Sequence, residues 1–338
     1  RWACRRLSYG LMPVHVGRFA TSAAATLAAA LLGVSPEAVR AHGGGADELT
    51  TLSALTSWTL EPLAFLGILA AAGVYLAAVR RVDRAHRLNH VPRRRTAAWL
   101  AGLLVVALAL FSFLDVYAGQ LFSVHMVQHI VLTMVAAPLL VLGAPVTLLL
   151  RALPRGWRTR RMMPILESAP LRLLAHPVVG WTFFAGVMWA AHFSPLFDTA
   201  LEDDGVHALE HALFLSAAVM FWWPVIGADP SPYRMGYGTR FGYVLLSMPQ
   251  NSFLGLAIFS APAVLFAHYG TLTRAWGPTP LEDQQIAGGI MWAAGDMLFL
   301  VPLLFLTAAW LRAEEEKGRL HDERLDRERS VRDARERA

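Results

Sequence analysis

The sequence predicts an all-α fold: a polytopic transmembrane helix bundle with seven spans after a signal-like N-terminal segment, N-out and C-in. Three observations predict it. Only 16% of the 338 residues are charged and 55% are hydrophobic, with a mean hydropathy of +0.43. Soluble chains carry about a quarter charged residues. Several apolar stretches reach the roughly 20 residues needed to cross a bilayer. The arginines between those stretches fall into alternate loops, the signature of the positive-inside rule. No run of short alternating segments points to a β-barrel.

Residues 1–41 read as a signal peptide or an extra N-terminal helix. Arg5, Arg6 and Arg18 precede the apolar run Phe19–Val34, and Val39-Arg40-Ala41 resembles a small-residue cleavage site. The membrane domain spans 42–311. Its expected spans are Thr59–Val79, Thr96–Leu114, Ser123–Leu150, Pro177–Leu196, His207–Ile226, Phe241–His268 and Asp283–Leu311. Pro62 suits a first helical turn. Pro138 and Pro145 are tolerated inside the third span where neighbours satisfy the freed carbonyls. A charged tail, 312–338, reads as a solvated helix continuing from the seventh span and fraying at its end.

The loops set the orientation. Residues 80–95 hold seven arginines and 151–175 hold six, while 227–240 add Arg234 and Arg240. The opposite loops differ: 42–57 and 115–122 have no Lys or Arg, 197–206 is acidic, and 269–282 has only Arg274. The basic set belongs in the cytoplasm. The net charge of +5 is therefore a topological pattern and calls for no nucleic acid; the lipid bilayer is the expected surrounding. The single cysteine, Cys4, excludes an internal disulfide framework and a cysteine-based metal cluster.

This topology sorts the twelve histidines. His86 and His90 lie in a cytoplasmic loop, His176 at the inner end of span four, His321 in the tail, and His15 and His42 near the N-terminus. The other six, His125, His129, His192, His207, His211 and His268, fall at the outer ends of four different spans. Residues four apart share a helix face, so His125/His129 and His207/His211 each form a two-toothed claw. Imidazole suits copper, zinc and iron, and polar rings at this depth should face the bundle interior. The six are the candidate metal ligands. Met126, Met188 and Met291 add thioethers, which select Cu(I). Asp115, Glu210 and Asp283 lie at the same level and could orient an imidazole through its other nitrogen. A single interfacial histidine is more often a polar cap, and methionines more often pack; the convergence of six is what favours a metal.

Two further features stand out in the spans. Asp296 sits mid-span, about 20 Å along the helix from Asp283, and is expected to face Gln250 or Asn251. It reads either as an interhelix hydrogen bond or as an ion relay. His207-Ala-Leu-Glu210-His211 matches H-x-x-E-H, an inverted zinc-protease motif. The match is short in a histidine-rich chain and is not read as a protease.

Trp58-Thr-Leu-Glu61-Pro62, HMVQH at 125–129 followed by APLLVLGAPVTLLLRALP at 137–154, and DQQIAGGIMWAAGD at 283–296 resemble the CtaG family of cytochrome c oxidase assembly factors over about residues 52–312. The resemblance implies a seven-helix protein of the bacterial cytoplasmic membrane, linked to building the oxidase through copper supply. It implies that His125, His129, His207 and His211 matter, and partners among cytochrome c oxidase subunits or a copper carrier. The expected role is copper binding or delivery without catalytic turnover. The alternatives are a haem-binding membrane oxidoreductase, with histidines of two helices clamping iron, and an ion or metal transporter using Asp296.

Overall fold

The computed structural model describes residues 48–86 and 88–336. The expected leader at 1–41, with Cys4 and His15, and also His42, lies outside the described residues. Among the described residues every regular element is helical. In chain order these are α1 (Thr51–Thr56), α2 (Pro62–Ala85), α3 (Arg93–Phe111), α4 (Phe113–Ala118), α5 (Phe122–Ala152), α6 (Pro177–His192), α7 (Leu196–Glu202), α8 (Asp204–Ile226), α9 (Tyr237–Leu245), α10 (Ser247–Phe259), α11 (Ala267–Thr271), α12 (Pro280–Gly289) and α13 (Gly295–Glu336). Short helical turns fill residues 155–174 between α5 and α6.

Five helical runs are long and apolar enough to cross a membrane: α2, α3, α5, Gly205–Ile226 within α8, and the continuous run Pro280–Glu336 formed by α12 and α13. Two of the seven expected spans are not among them. The first, 177–196, is a helix of 16 residues that stops at His192, just before Pro195. The second, 241–268, breaks at Leu246. Pro249 has no N–H to donate back to the carbonyl of Leu245, so the helix restarts at Ser247 with the proline in its first turn. After Phe259 the chain is irregular until α11. Gln284 of α12 satisfies that stretch: its Oε1 accepts from Leu265 N at 2.7 Å, and its Nε2 donates to Ala263 O at 3.2 Å.

The largest apolar core lies among α5, α6, α8, α10, α12 and α13, with Phe122, Phe184, Phe214, Phe221, Leu254, Ile258 and Phe299 nearly or fully buried. A second core joins α3 to α5 through Leu103, Val106, Ala109, Leu132 and Ala136. The opposite faces stay apolar and uncovered: α2 exposes Leu63 and Val74, and α13 exposes Met297, Leu304 and Phe305. A helix apolar on its outer as well as its inner face is built for lipid. Close crossings use glycine. A Cβ on Gly288 would lie 2.5 Å from Phe259 N, and one on Gly255 would lie 2.7 Å from Trp292 N, so α10 and α12 touch backbone to backbone.

Three irregularities shape α5 and the α12–α13 run. Val131–Ala136 and Ile290–Ala294 are π-helical. Such widened turns free carbonyls, and neighbours take them up: Trp222 Nε1 donates to Thr133 O at 2.9 Å, and Asn251 Nδ2 to Met291 O at 2.9 Å. The third is Ala144, held in the left-handed region at φ 49°. There α5 breaks and restarts at Pro145, with Asp229 accepting from Thr147 N at 2.6 Å and Val146 N at 3.2 Å. Tyr75 OH donates to Gly143 O at 2.7 Å across the same break. α13 continues through the charged tail, laced by exposed pairs such as Lys317–Glu314 and Arg319–Glu316, each worth little in water.

Candidate metal centre

The claw on α5 is aimed by its first turn. α5 begins at Phe122 beneath a carboxylate from another helix: Asp283 of α12 accepts from Phe122 N at 2.6 Å, from Ser123 N at 3.3 Å and from the Ser123 hydroxyl at 2.5 Å. An anion at a helix N-terminus satisfies the donors left unpaired there. His125 and His129 follow on one face, both buried. On α8, Asp203 caps the start by accepting from Val206 N at 2.9 Å. His207, His211 and Phe214 then fall at i, i+4 and i+7 and turn toward α5.

The four rings pack as a quadrilateral. Centroids are 4.3 Å apart for His125–His129 and 4.2 Å for His207–His211. Across the helices they are 5.8 Å apart for His125–His207 and 5.7 Å for His129–His211. Phe214 floors the site, stacked on His129 at 4.1 Å. Glu210, 1% exposed, sits one residue before His211. Its carboxylate lies 3.7 Å from His125 Nε2 and 3.9 Å from His129 Nε2. His125, His129 and Glu210 each offer a ligand atom, all within 4.8 Å of one another.

Hydrogen bonding indicates which nitrogen points inward. Tyr269 OH spends its one hydrogen on Ala118 O at 2.6 Å, so at 3.3 Å from His125 Nδ1 it accepts. His125 Nδ1 therefore bears the hydrogen, and its neutral ring turns a lone pair at Nε2 inward. That lone pair meets His129 Nε2 at 2.5 Å. Neither Glu210 oxygen nor His129 Nδ1 has a hydrogen-bond partner. A buried carboxylate without a hydrogen-bond partner in an apolar setting is costly unless a cation compensates it.

The other expected residues are placed differently. His192 is buried at the end of α6 with Nδ1 on Met188 O at 2.6 Å and Nε2 3.4 Å from Met126 Sδ. His268 is only partly buried; its Nε2 donates to Gly119 O at 2.9 Å, and its backbone N–H donates to Asp198. Asp283 holds the start of α5, with both its oxygens given to Phe122 and Ser123. Asp115 accepts from Thr59 OH at 2.7 Å and from Gln128 Nε2 at 3.2 Å. Asp296 accepts from Asn251 Nδ2 at 3.2 Å and from the Ser252 hydroxyl. Gln250 turns away and accepts from Trp189 Nε1 at 3.2 Å. Tyr269 and Met134 had no sequence signal: neither stands at a claw spacing, and both are brought in by tertiary packing.

A family model described as cytochrome c oxidase caa3 assembly factor (Caa3_CtaG) matches residues 73–313. The chain belongs to that family. All six histidines, Glu210 and Asp283 fall inside the matched segment. An uncharacterized protein of Mycobacterium leprae is 33% identical over 282 residues, covering 80% of this chain and 42% of that protein. An uncharacterized protein of Mycobacterium bovis is 31% identical over 296 residues, covering 82% of this chain and 43% of that protein. The chain thus spans less than half the length of these curated relatives. No solved structure matches.

Proposed function

We propose that this Caa3_CtaG member is a cytochrome c oxidase assembly factor of the bacterial cytoplasmic membrane that holds copper as cargo at the histidine cluster. In this reading the chain crosses the membrane seven times, N-out and C-in, with α6 and the α9–α10 pair as the two shorter crossings. The cluster then faces the outer leaflet, within reach of oxidase subunits or a soluble copper carrier. Binding and release suffice, and no covalent step is required.

One observation carries the reading: two claws on separate helices, His125/His129 and His207/His211, face each other, with the buried Glu210 carboxylate 3.7 Å from His125 Nε2. Imidazole binds both copper and zinc. The carboxylate supplies the compensating charge that a buried divalent ion needs. Tyr269 fixes the His125 tautomer, as outer hydrogen bonds do for metal-binding imidazoles. Haem fits less well, because rings this tightly packed against one another and against Phe214 leave no planar slot between them.

The test is copper content. Purified protein in detergent is loaded with Cu(II), stripped of excess and counted for metal. Wild type is expected to retain one ion per chain and His125→Ala/His129→Ala almost none. Equal content in the two, or none in wild type, contradicts the reading.

A further inference from the structure

A cavity of about 30 Å³ adjoins the cluster on the side of His129. Four of the protein's eleven methionines wall it: Met126 and Met134 from α5, Met188 from α6, and Met291. His192 completes the wall. Two π-helical segments open onto this space, Val131–Ala136 through Met134 and Ile290–Ala294 through Met291. Such widened turns cluster at functional sites.

The contact between His192 and Met126 is the informative one. A backbone carbonyl can only accept, so His192 Nδ1 gives its hydrogen to Met188 O, and the neutral ring presents a lone pair at Nε2. That lone pair faces the Met126 thioether at 3.4 Å. Two electron-pair donors then meet with no hydrogen between them. Thr133 and Asn251 are engaged, Thr133 OH donating to His129 O and Asn251 Nδ2 to Met291 O and Asp296, while the remaining polar side chain, His129, belongs to the neighbouring cluster. A water needs two to four polar partners, and these walls serve one poorly. Thioether sulfur and a neutral imidazole are instead the donors that select Cu(I) over harder ions.

We propose that this cavity is a second metal site, taking a soft monovalent cation, Cu(I), on Met126, Met188, Met291 and His192. The proposal rests on the copper reading above and divides the labour: the histidine–glutamate cluster takes copper in the form imidazole and carboxylate prefer, and the cavity takes it reduced. Methionine also fills irregular gaps for packing alone, so the test reads the ligand atom itself.

Protein in detergent is titrated with Cu(I) under reductant against a competing chelator, and with Ag(I) as a redox-silent probe. X-ray absorption at the copper edge follows. Wild type is expected to show sulfur neighbours. The volume-conserving Met126→Leu/Met188→Leu/Met291→Leu variant is expected to lose one Cu(I) equivalent and the sulfur signal while keeping its Cu(II). His207→Ala/His211→Ala/Glu210→Gln is expected to show the reverse. Selenomethionine-labelled wild type, which needs no substitution, is expected to show a selenium–copper neighbour at the selenium edge after Cu(I) loading. Nitrogen-only Cu(I) in wild type, an unchanged selenium spectrum, or full Cu(I) and sulfur signal in the leucine variant overturns the proposal. Wild type that binds no Cu(II) but keeps sulfur-ligated Cu(I) overturns the cluster reading and leaves the cavity site standing.

Discussion

Replacing Asp283 with alanine removes the acceptor for the first two N–H groups of α5, one turn before His125. Asp283 is 1% exposed, so water reaches those groups poorly. A buried donor left without a partner costs about 1–3 kcal/mol, and loss of a helix N-cap typically about 1 kcal/mol. With two donors affected and some relaxation of the turn, Asp283→Ala is expected to destabilise the protein by about 3 kcal/mol. Asp283→Asn keeps one acceptor oxygen and is expected to cost about half as much. The control is Glu282→Ala on the same turn. Glu282 is exposed and caps only its own helix, accepting from Thr279 N and from the Thr279 hydroxyl, both at 2.8 Å; its loss is expected to cost clearly less than that of Asp283. Unfolding in mixed micelles, followed by tryptophan fluorescence, measures all three. If Asp283→Ala is no worse than Glu282→Ala, the start of α5 is held by something other than this carboxylate.

The same assay checks two backbone arguments. Ala144→Gly is expected to stabilise by about 1 kcal/mol, because a left-handed residue with a Cβ is strained by that order; a loss of stability would refute the strain. Gly288→Ala is expected to cost about 1–3 kcal/mol by pushing a methyl into the backbone of α10. Gly73→Ala, whose Cβ would meet nothing within 4 Å, is expected to be neutral or slightly stabilising. Equal effects at the two glycines would mean that α10 and α12 do not cross as closely as described.

Much of the site was legible before the fold. Spacing alone put His125 with His129 and His207 with His211 on common faces, and loop charge put both claws at one depth. Asp296 was expected to meet Gln250 or Asn251; it meets Asn251, and also Ser252. What depth could not supply was direction around the helix axis. Asp283 shares the level of the histidines yet points at the start of α5, and Asp115 points at Thr59 and Gln128. In sequence Glu210 is one of three carboxylates that could orient an imidazole, and its place beside His125 and His129 comes only from packing. Asp229, which restarts α5 after Ala144, carries no sequence signal because a buried cap and a surface loop aspartate look alike in sequence. The two expected spans that fall short, 177–196 and 241–268, reflect the same limit. Hydropathy reads through Pro195 and Pro249, whereas the backbone cannot hydrogen-bond through a missing N–H.

Metal binding at the cluster requires one ion to be shared by α5 and α8. Co(II) titration tests this most directly, since a four-coordinate protein site gives intense visible d–d bands that a hydrated ion lacks. Wild type is expected to develop those bands, and His125→Ala on α5 and His211→Ala on α8 are each expected to abolish them. Bands that survive the loss of either helix's histidine would show that the two claws do not hold a common metal.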